Sequence, residues 1–158
     1  MRTAEVDETP RPNEKPEDYV LRLAEEKALA VAATHDETVL GADTTVVVGN
    51  QLLGKPEDTA GAVRMLEALS GRCHQVLTGI CLRGPSRFIR DFAATRVWFT
   101  AMTPLEIEDY VASGEPLDKA GAYAIQGLGS KFIERIEGCY FNVVGLPVAL
   151  VYRHLRNW

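Results

Sequence analysis

Apolar residues recur at helical spacing after Pro16: Val20, Leu23, Ala24, Ala28 and Val31 share one face, with Lys27 among them. The spacing predicts an amphipathic helix from Pro16 to about Thr34. From Thr38 the period changes to a nearly continuous β-branched run, broken by the turn residues Gly49 to Gln51 and resumed briefly at Leu52 and Leu53; this reads as a strand and a short return. Asp58 caps a second helix through Leu69, closed by Ser70 and Gly71. The stretches His74 to Leu82 and Ala94 to Thr100 read as strands that could pair as neighbours. Thr103, Pro104 and Glu106 form a capping box at the start of a third helix. A glycine-rich segment, Asp118 to Ser130, leads into a strand from Lys131 to Gly138, and Val144 to Arg156 closes the chain as a helix. This order predicts an α/β (α+β) fold, a mixed, twisted sheet flanked by helices.

Composition narrows the classes. A length of 158 residues with 46% hydrophobic content suits one domain, residues 1–158, with a real core. No stretch approaches the roughly 18 apolar residues of a membrane span, and the polar opening through Glu17 has no apolar centre for a secretory signal. A soluble, cytoplasmic protein is expected, with no membrane partner. The net charge of −5 and scattered basic residues argue against nucleic acid as a partner. Cys73, Cys81 and Cys139 lack C-x-x-C spacing, and His35, His74 and His154 form no ligand cluster, so neither a zinc site nor a disulfide framework is expected. Phosphate-loop, dinucleotide-binding and nucleophile-elbow patterns are missing in the form each chemistry needs.

One position resists the simple reading of the first strand. Asp43 sits between apolar neighbours, with Val46 to Val48 following and no turn residue between. An ionised carboxylate there must be paired, bound to metal, or turned to solvent at a strand end. The small Gly41 and Ala42 before it permit either a ligand or a packed element to come close. Lys27 lies within the helix's apolar stripe, where its stem covers apolar surface or its ammonium reaches a cleft. Lys55 in a loop and Glu8 in an acidic lead-in are ordinary surface groups when taken singly. Together, these carboxylates and lysines are the set an Mg²⁺-triphosphate reaction requires. The metal takes carboxylate and phosphate oxygens, the lysines balance charge, and a carboxylate activates water.

The blocks "AEEKA" (Ala24 to Ala28), "GADTTVV" (Gly41 to Val47), "GKPED" (Gly54 to Asp58), "ALSGRCHQVLTG" (Ala68 to Gly79), "GEPLDKAGAYAIQGLG" (Gly114 to Gly129) and "NVVGLP" (Asn142 to Pro147) resemble, in order, the Maf family of nucleoside triphosphate pyrophosphatases. The resemblance implies an inosine triphosphatase-like architecture with a nucleotide cleft between two lobes, assembled as a homodimer. It implies cleavage of a nucleoside triphosphate between its α and β phosphates, using water and a divalent cation, Mg²⁺ or Mn²⁺. Asp43 falls on the family's proposed proton acceptor and, with Glu8, on its metal-binding positions; Lys27, Lys55 and Gln126 fall on other active-site positions. The family role would be clearance of unwanted nucleotides, with a proposed link to division arrest.

Substrate choice also follows from the resemblance. Thr44 and Gln126 match the branch acting on dTTP and UTP, whereas the 7-methyl-GTP branch carries Ser-Asp-Gln in place of Ala-Asp-Thr. An amide that both donates and accepts suits the O4 and N3–H edge of thymine or uracil, although a Gln beside glycines can equally bond backbone. The family pattern begins with a strand, a Ser-x-Ser-Pro-Arg-Arg loop and a helix, and this chain opens downstream of them, at the segment containing Glu8. Without that arginine fork, weaker phosphate clamping is expected. Two functions are therefore expected alternatives: the pyrophosphatase, or a catalytically impaired nucleotide-binding or regulatory protein.

Overall fold

The computed structural model describes residues 5–31, 34 and 36–158. Helix α1 spans Pro16–Ala30, starting with Pro at its first position. It ends earlier than the periodicity suggested because Val31 is already extended, its carbonyl accepting a bond from Arg83 Nη2 at 2.8 Å. Ala32, Ala33 and His35 lie outside the described residues. Strands β1 (Val39–Val48) and β2 (Gln51–Leu53) form a hairpin, with Gly49 in the left-handed region at φ 57°. Helix α2 (Thr59–Leu69) carries the expected Asp58 cap, whose Oδ1 accepts from Gly61 N at 2.6 Å.

Strands β3 (Cys73–Arg83) and β4 (Phe88–Phe99) pair over their whole length, so β4 starts six residues earlier than the expected Ala94. Its first half carries charges that have partners on both sheet faces: Arg90 bonds Glu25, and Asp91 bonds His154. Helix α3 (Pro104–Ala112) has the capping box, and β5 (Ile133–Glu137) follows single 3₁₀ turns at Glu115–Asp118, Ala120–Ala122 and Leu128–Phe132. The helix expected at the end is two, α4 (Tyr140–Val144) and α5 (Val148–Leu155). Gly145 at φ 123° and Pro147 separate them.

The strands form one sheet in the order β2-β1-β3-β4-β5. Among the described residues every pairing is antiparallel, which corrects the mixed sheet expected from the alternation of helices and strands. The reason is local: β1 to β2 and β3 to β4 are hairpins, and α2 returns the chain antiparallel beside β1. Side chains alternate across the sheet, so in β1 Gly41, Asp43, Thr45 and Val47 face α1 while Ala42, Thr44, Val46 and Val48 face the other layer. That second layer forms the larger core, in which Val46, Val76, Val97 and Phe99 meet Leu66 and Leu69 of α2 and Ile107 and Val111 of α3. Against the first face, Val20 and Leu23 of α1 pack on Leu77.

Two glycines set the depth at which α1 lies. A Cβ on Gly41 would stand 2.1 Å from the Ala24 carbonyl oxygen, and one on Gly79 would stand 2.2 Å from that of Val20. Only backbone without side chains lets the helix settle this close. Among the described residues, β2 covers just Val46 to Val48 of β1, leaving the outer edge from Val39 to Thr45 without a strand partner.

Candidate active site

A cavity of about 310 Å³ opens at that uncovered edge of β1, within the size range of small-molecule sites. Every residue singled out from the sequence lines it: Glu8, Lys27, Asp43, Thr44, Lys55 and Gln126. Because the strand edge is free, groups from both sheet faces reach one space.

On the α1 side, the close helix–strand contact carries Lys27 directly over Asp43. Lys27 Nζ donates to Asp43 Oδ1 at 2.5 Å and lies 2.7 Å from Glu8 Oε1. Asp43 is 9% exposed, Glu8 about half exposed. Burial pushes the Asp43 carboxyl above its ordinary value, and the bond from Lys27 offsets this only in part. Burial alone would lower the Lys27 ammonium, but its bonds to Asp43 and Glu8 outweigh that and raise it. Asp43 thus remains a comparatively strong base while its partner stays cationic. The lead-in bearing Glu8 is anchored by Tyr19, whose hydroxyl donates to the Glu8 carbonyl at 2.8 Å.

On the opposite face, Thr44 Oγ1 shares a 2.8 Å hydrogen bond with Thr78 Oγ1 and approaches the Gly145 carbonyl at 3.3 Å. Buried Asn142 fastens α4 to the sheet through Nδ2, which donates to the Val76 carbonyl at 2.9 Å and to Thr95 Oγ1 at 3.1 Å. The cavity wall of Val143, Val144 and Gly145 is thereby fixed against the strand. Lys55 follows β2 in an exposed loop tied down by the bond from Gly121 N to the Gly54 carbonyl at 2.9 Å. Gln126 sits exposed at the far rim.

Several contributors escaped sequence reasoning. Lys119 also lines the cavity, and its place in the "DKAGAY" block was the available signal. Tyr123 forms part of the wall, held by a 2.9 Å hydrogen bond with His74 Nε2. Burial pushes His74 down to about 4, so it stays neutral near pH 7. Gly41 had two readings, ligand approach or packing, and its small size serves the packing of α1.

The donor set suits a hard divalent cation. Two carboxylates, Asp43 and Glu8, meet at the Lys27 ammonium, at 2.5 and 2.7 Å, and two is the number that a cation sharing its shell with substrate phosphates takes from protein.

A family model described as Maf-like protein matches residues 1–158. The chain belongs to the Maf-like protein family. Curated relatives of this Maf-like chain agree. A protein of Koribacter versatilis named dTTP/UTP pyrophosphatase is 51% identical over 155 residues, covering 98% of this chain and 80% of its own length. One of the same name from Syntrophomonas wolfei is 49% identical over 157 residues, covering 98% and 83%. Another from Bacillus cytotoxicus is 47% identical over 156 residues, covering 98% and 82%. Among the described residues of the Maf-like chain, no helix is long and apolar enough to cross a membrane.

Proposed function

We propose that this chain hydrolyses dTTP and UTP to the nucleoside monophosphate and pyrophosphate, as the names of its relatives describe for them. The observation that carries the reading is the buried Asp43 carboxylate, held basic at a cavity whose other walls present Lys55, Lys119 and Gln126. In this reaction a water oxygen bonds to the α phosphorus, and the bond from that phosphorus to the α,β-bridging oxygen breaks. The electron pair leaves with pyrophosphate. Asp43 Oδ2 takes the water proton, while Lys27 on Oδ1 holds the carboxylate in place and stabilises its charge. Lys55 and Lys119 balance the triphosphate charge, which grows on the leaving group as the bond breaks. Thr44 fixes the strand edge along which the substrate lies, and Gln126 reads the pyrimidine edge.

A divalent cation, Mg²⁺ or Mn²⁺, would be held by Asp43 and Glu8 and would supply charge neutralisation at the phosphates. We place the reaction in the cytoplasm, carried out by a homodimer; sedimentation velocity checks the second point.

The test is pyrophosphate release from dTTP, UTP and 7-methyl-GTP with Mg²⁺ or Mn²⁺. Turnover of the two pyrimidine substrates well above that of 7-methyl-GTP is expected. Equal or greater turnover of 7-methyl-GTP overturns the substrate assignment, and tight binding of dTTP without release overturns the reaction.

A further inference from the structure

Thr44 and Thr78 stand directly opposite each other in β1 and β3, and their hydroxyl oxygens lie 2.8 Å apart. Each hydroxyl brings one hydrogen and two lone pairs. Each also has a carbonyl of the α4 segment within reach: Thr78 Oγ1 lies 3.2 Å from the Asn142 carbonyl oxygen, and Thr44 Oγ1 lies 3.3 Å from that of Gly145. Two hydroxyl oxygens this close need a hydrogen between them, so one of the pair's hydrogens lies there and the other goes to a carbonyl. Either Thr44 donates to Thr78 and Thr78 to Asn142, or Thr78 donates to Thr44 and Thr44 to Gly145. In both arrangements the hydrogens are spent inside the protein. The idle capacity that Thr44 turns to the cavity is lone pairs.

The two hydroxyls differ in what holds them. Thr78 is fully buried, whereas Thr44 is half-buried and lines the cavity. The Asn142 carbonyl behind Thr78 is itself fixed, because Asn142 Nδ2 is bonded to β3 at Val76 and to β4 at Thr95. Thr78 is thus held from behind and sets the direction of Thr44 in front of it. A ligand group that donates takes a free lone pair of Thr44, while one that accepts must first pull the Thr44 hydrogen from its present partner. Thr44 therefore suits the nucleoside end of a substrate and not a phosphate oxygen.

Position chooses among the nucleoside's donors. Thr44 follows Asp43, with its Cα about 3.8 Å along the strand, and Asp43 acts at the α phosphorus, to which the sugar is joined through O5′. The base lies further from that phosphorus than the sugar does. Resting on the pyrimidine triphosphate reading above, we infer that Thr44 Oγ1 accepts from the sugar 3′-hydroxyl, common to dTTP and UTP, and that Thr78 is the positioning residue that keeps the Thr44 lone pairs aimed at it. The contact selects for a sugar hydroxyl whatever the base. Asp43 and Lys27 lie on the other face of β1, so loss of either hydroxyl costs KM more than kcat.

The experiment compares dTTP with its 3′-deoxy and N3-methyl analogues, by pyrophosphate release with Mg²⁺ and by calorimetric binding without metal, for the wild type and for Thr44→Val, Thr78→Val and Thr78→Ser. The wild type should prefer dTTP to the 3′-deoxy analogue by about 5- to 10-fold in kcat/KM, the range for one hydrogen bond. Thr44→Val should remove that preference. Thr78→Val keeps the shape of the buried side chain and should lower the preference by about 3-fold, mainly through KM. Thr78→Ser should restore it, which a packing role for the side chain would not do. A wild type that treats dTTP and the 3′-deoxy analogue alike overturns the inference, and a preference that survives Thr78→Val overturns the positioning role. A Thr44→Val variant that loses the penalty on the N3-methyl analogue but keeps the 3′-deoxy penalty moves the contact to the base and overturns it as well. A wild type that binds dTTP over its 3′-deoxy analogue yet releases no pyrophosphate overturns the reaction and leaves the sugar contact standing.

Discussion

Helix α1 carries two basic side chains toward carboxylates, Arg22 toward Glu14 and Lys27 toward Asp43. The carboxylates are similarly inaccessible, at 8% and 9% exposure, but different material covers them. Glu14 lies near the surface beneath its own partners: Arg22 Nε and Nη2 grip both oxygens at 2.6 and 2.8 Å, and Arg11 N adds a bond at 2.9 Å. That fork holds the Glu14 carboxyl down at about 2. Asp43 lies under strand and helix backbone, receives one ammonium on one oxygen, and is pushed up by burial. A planar fork that saturates a carboxylate leaves nothing to react; a point charge on one oxygen leaves a base. The helix thus uses one pair to fasten the lead-in and the other to hold a buried carboxylate by a single oxygen.

The comparison can be broken at either end. The largest effect belongs to Asp43→Ala, which should lower kcat for pyrophosphate release by about 100- to 10,000-fold while circular dichroism retains the native spectrum. Lys27→Met comes next: it strands Asp43 without its cation, so denaturant titration should show a loss of about 3 kcal/mol at pH 7, together with reduced turnover. Arg22→Ala should cost about 2 kcal/mol at neutral pH by the same measurement, with turnover moving little.

The pH dependences sharpen the contrast because their signs are opposite. Glu14, held below its ordinary 4.5, contributes stability above that value that is lost as pH falls toward about 2. Arg22→Ala should remove this acid limb. Asp43, raised above its ordinary 3.8, contributes stability at low pH that is lost as pH rises through its higher folded value. Gly41→Ala tests the packing that sets the Lys27 pair in place. Its methyl group meets the Ala24 carbonyl and shifts α1, costing about 1 to 3 kcal/mol and loosening Lys27 from Asp43. The Arg22 pair, away from that contact, should keep its acid limb.

Much of the site was legible because its oddities were local. Asp43 stood out as a charge inside an apolar run, and Lys27 as a charge inside an apolar stripe. Both are positions that single-strand or single-helix patterning leaves unexplained, and their explanation is each other. Strand β4 was cut short because Arg90 and Asp91 break its alternation, and their partners, Glu25 and His154, are far away in sequence. The sheet's direction was not legible from alternation alone, since α2 could return the chain either way. Glu115 illustrates the deeper limit: an exposed-looking Glu before Pro116 finds its partners in backbone amides more than ten residues on.

The most direct test is a carboxyl ¹³C NMR titration of Asp43 and Glu14 in one sample, with Asp43→Asn assigning the first resonance. The account expects Glu14 to titrate near 2 and Asp43 to titrate above 3.8, with the acid limb of kcat/KM on dTTP following Asp43. An Asp43 that titrates at or below its ordinary value, or a limb that ignores it, contradicts the claim that burial keeps this carboxylate basic for the reaction.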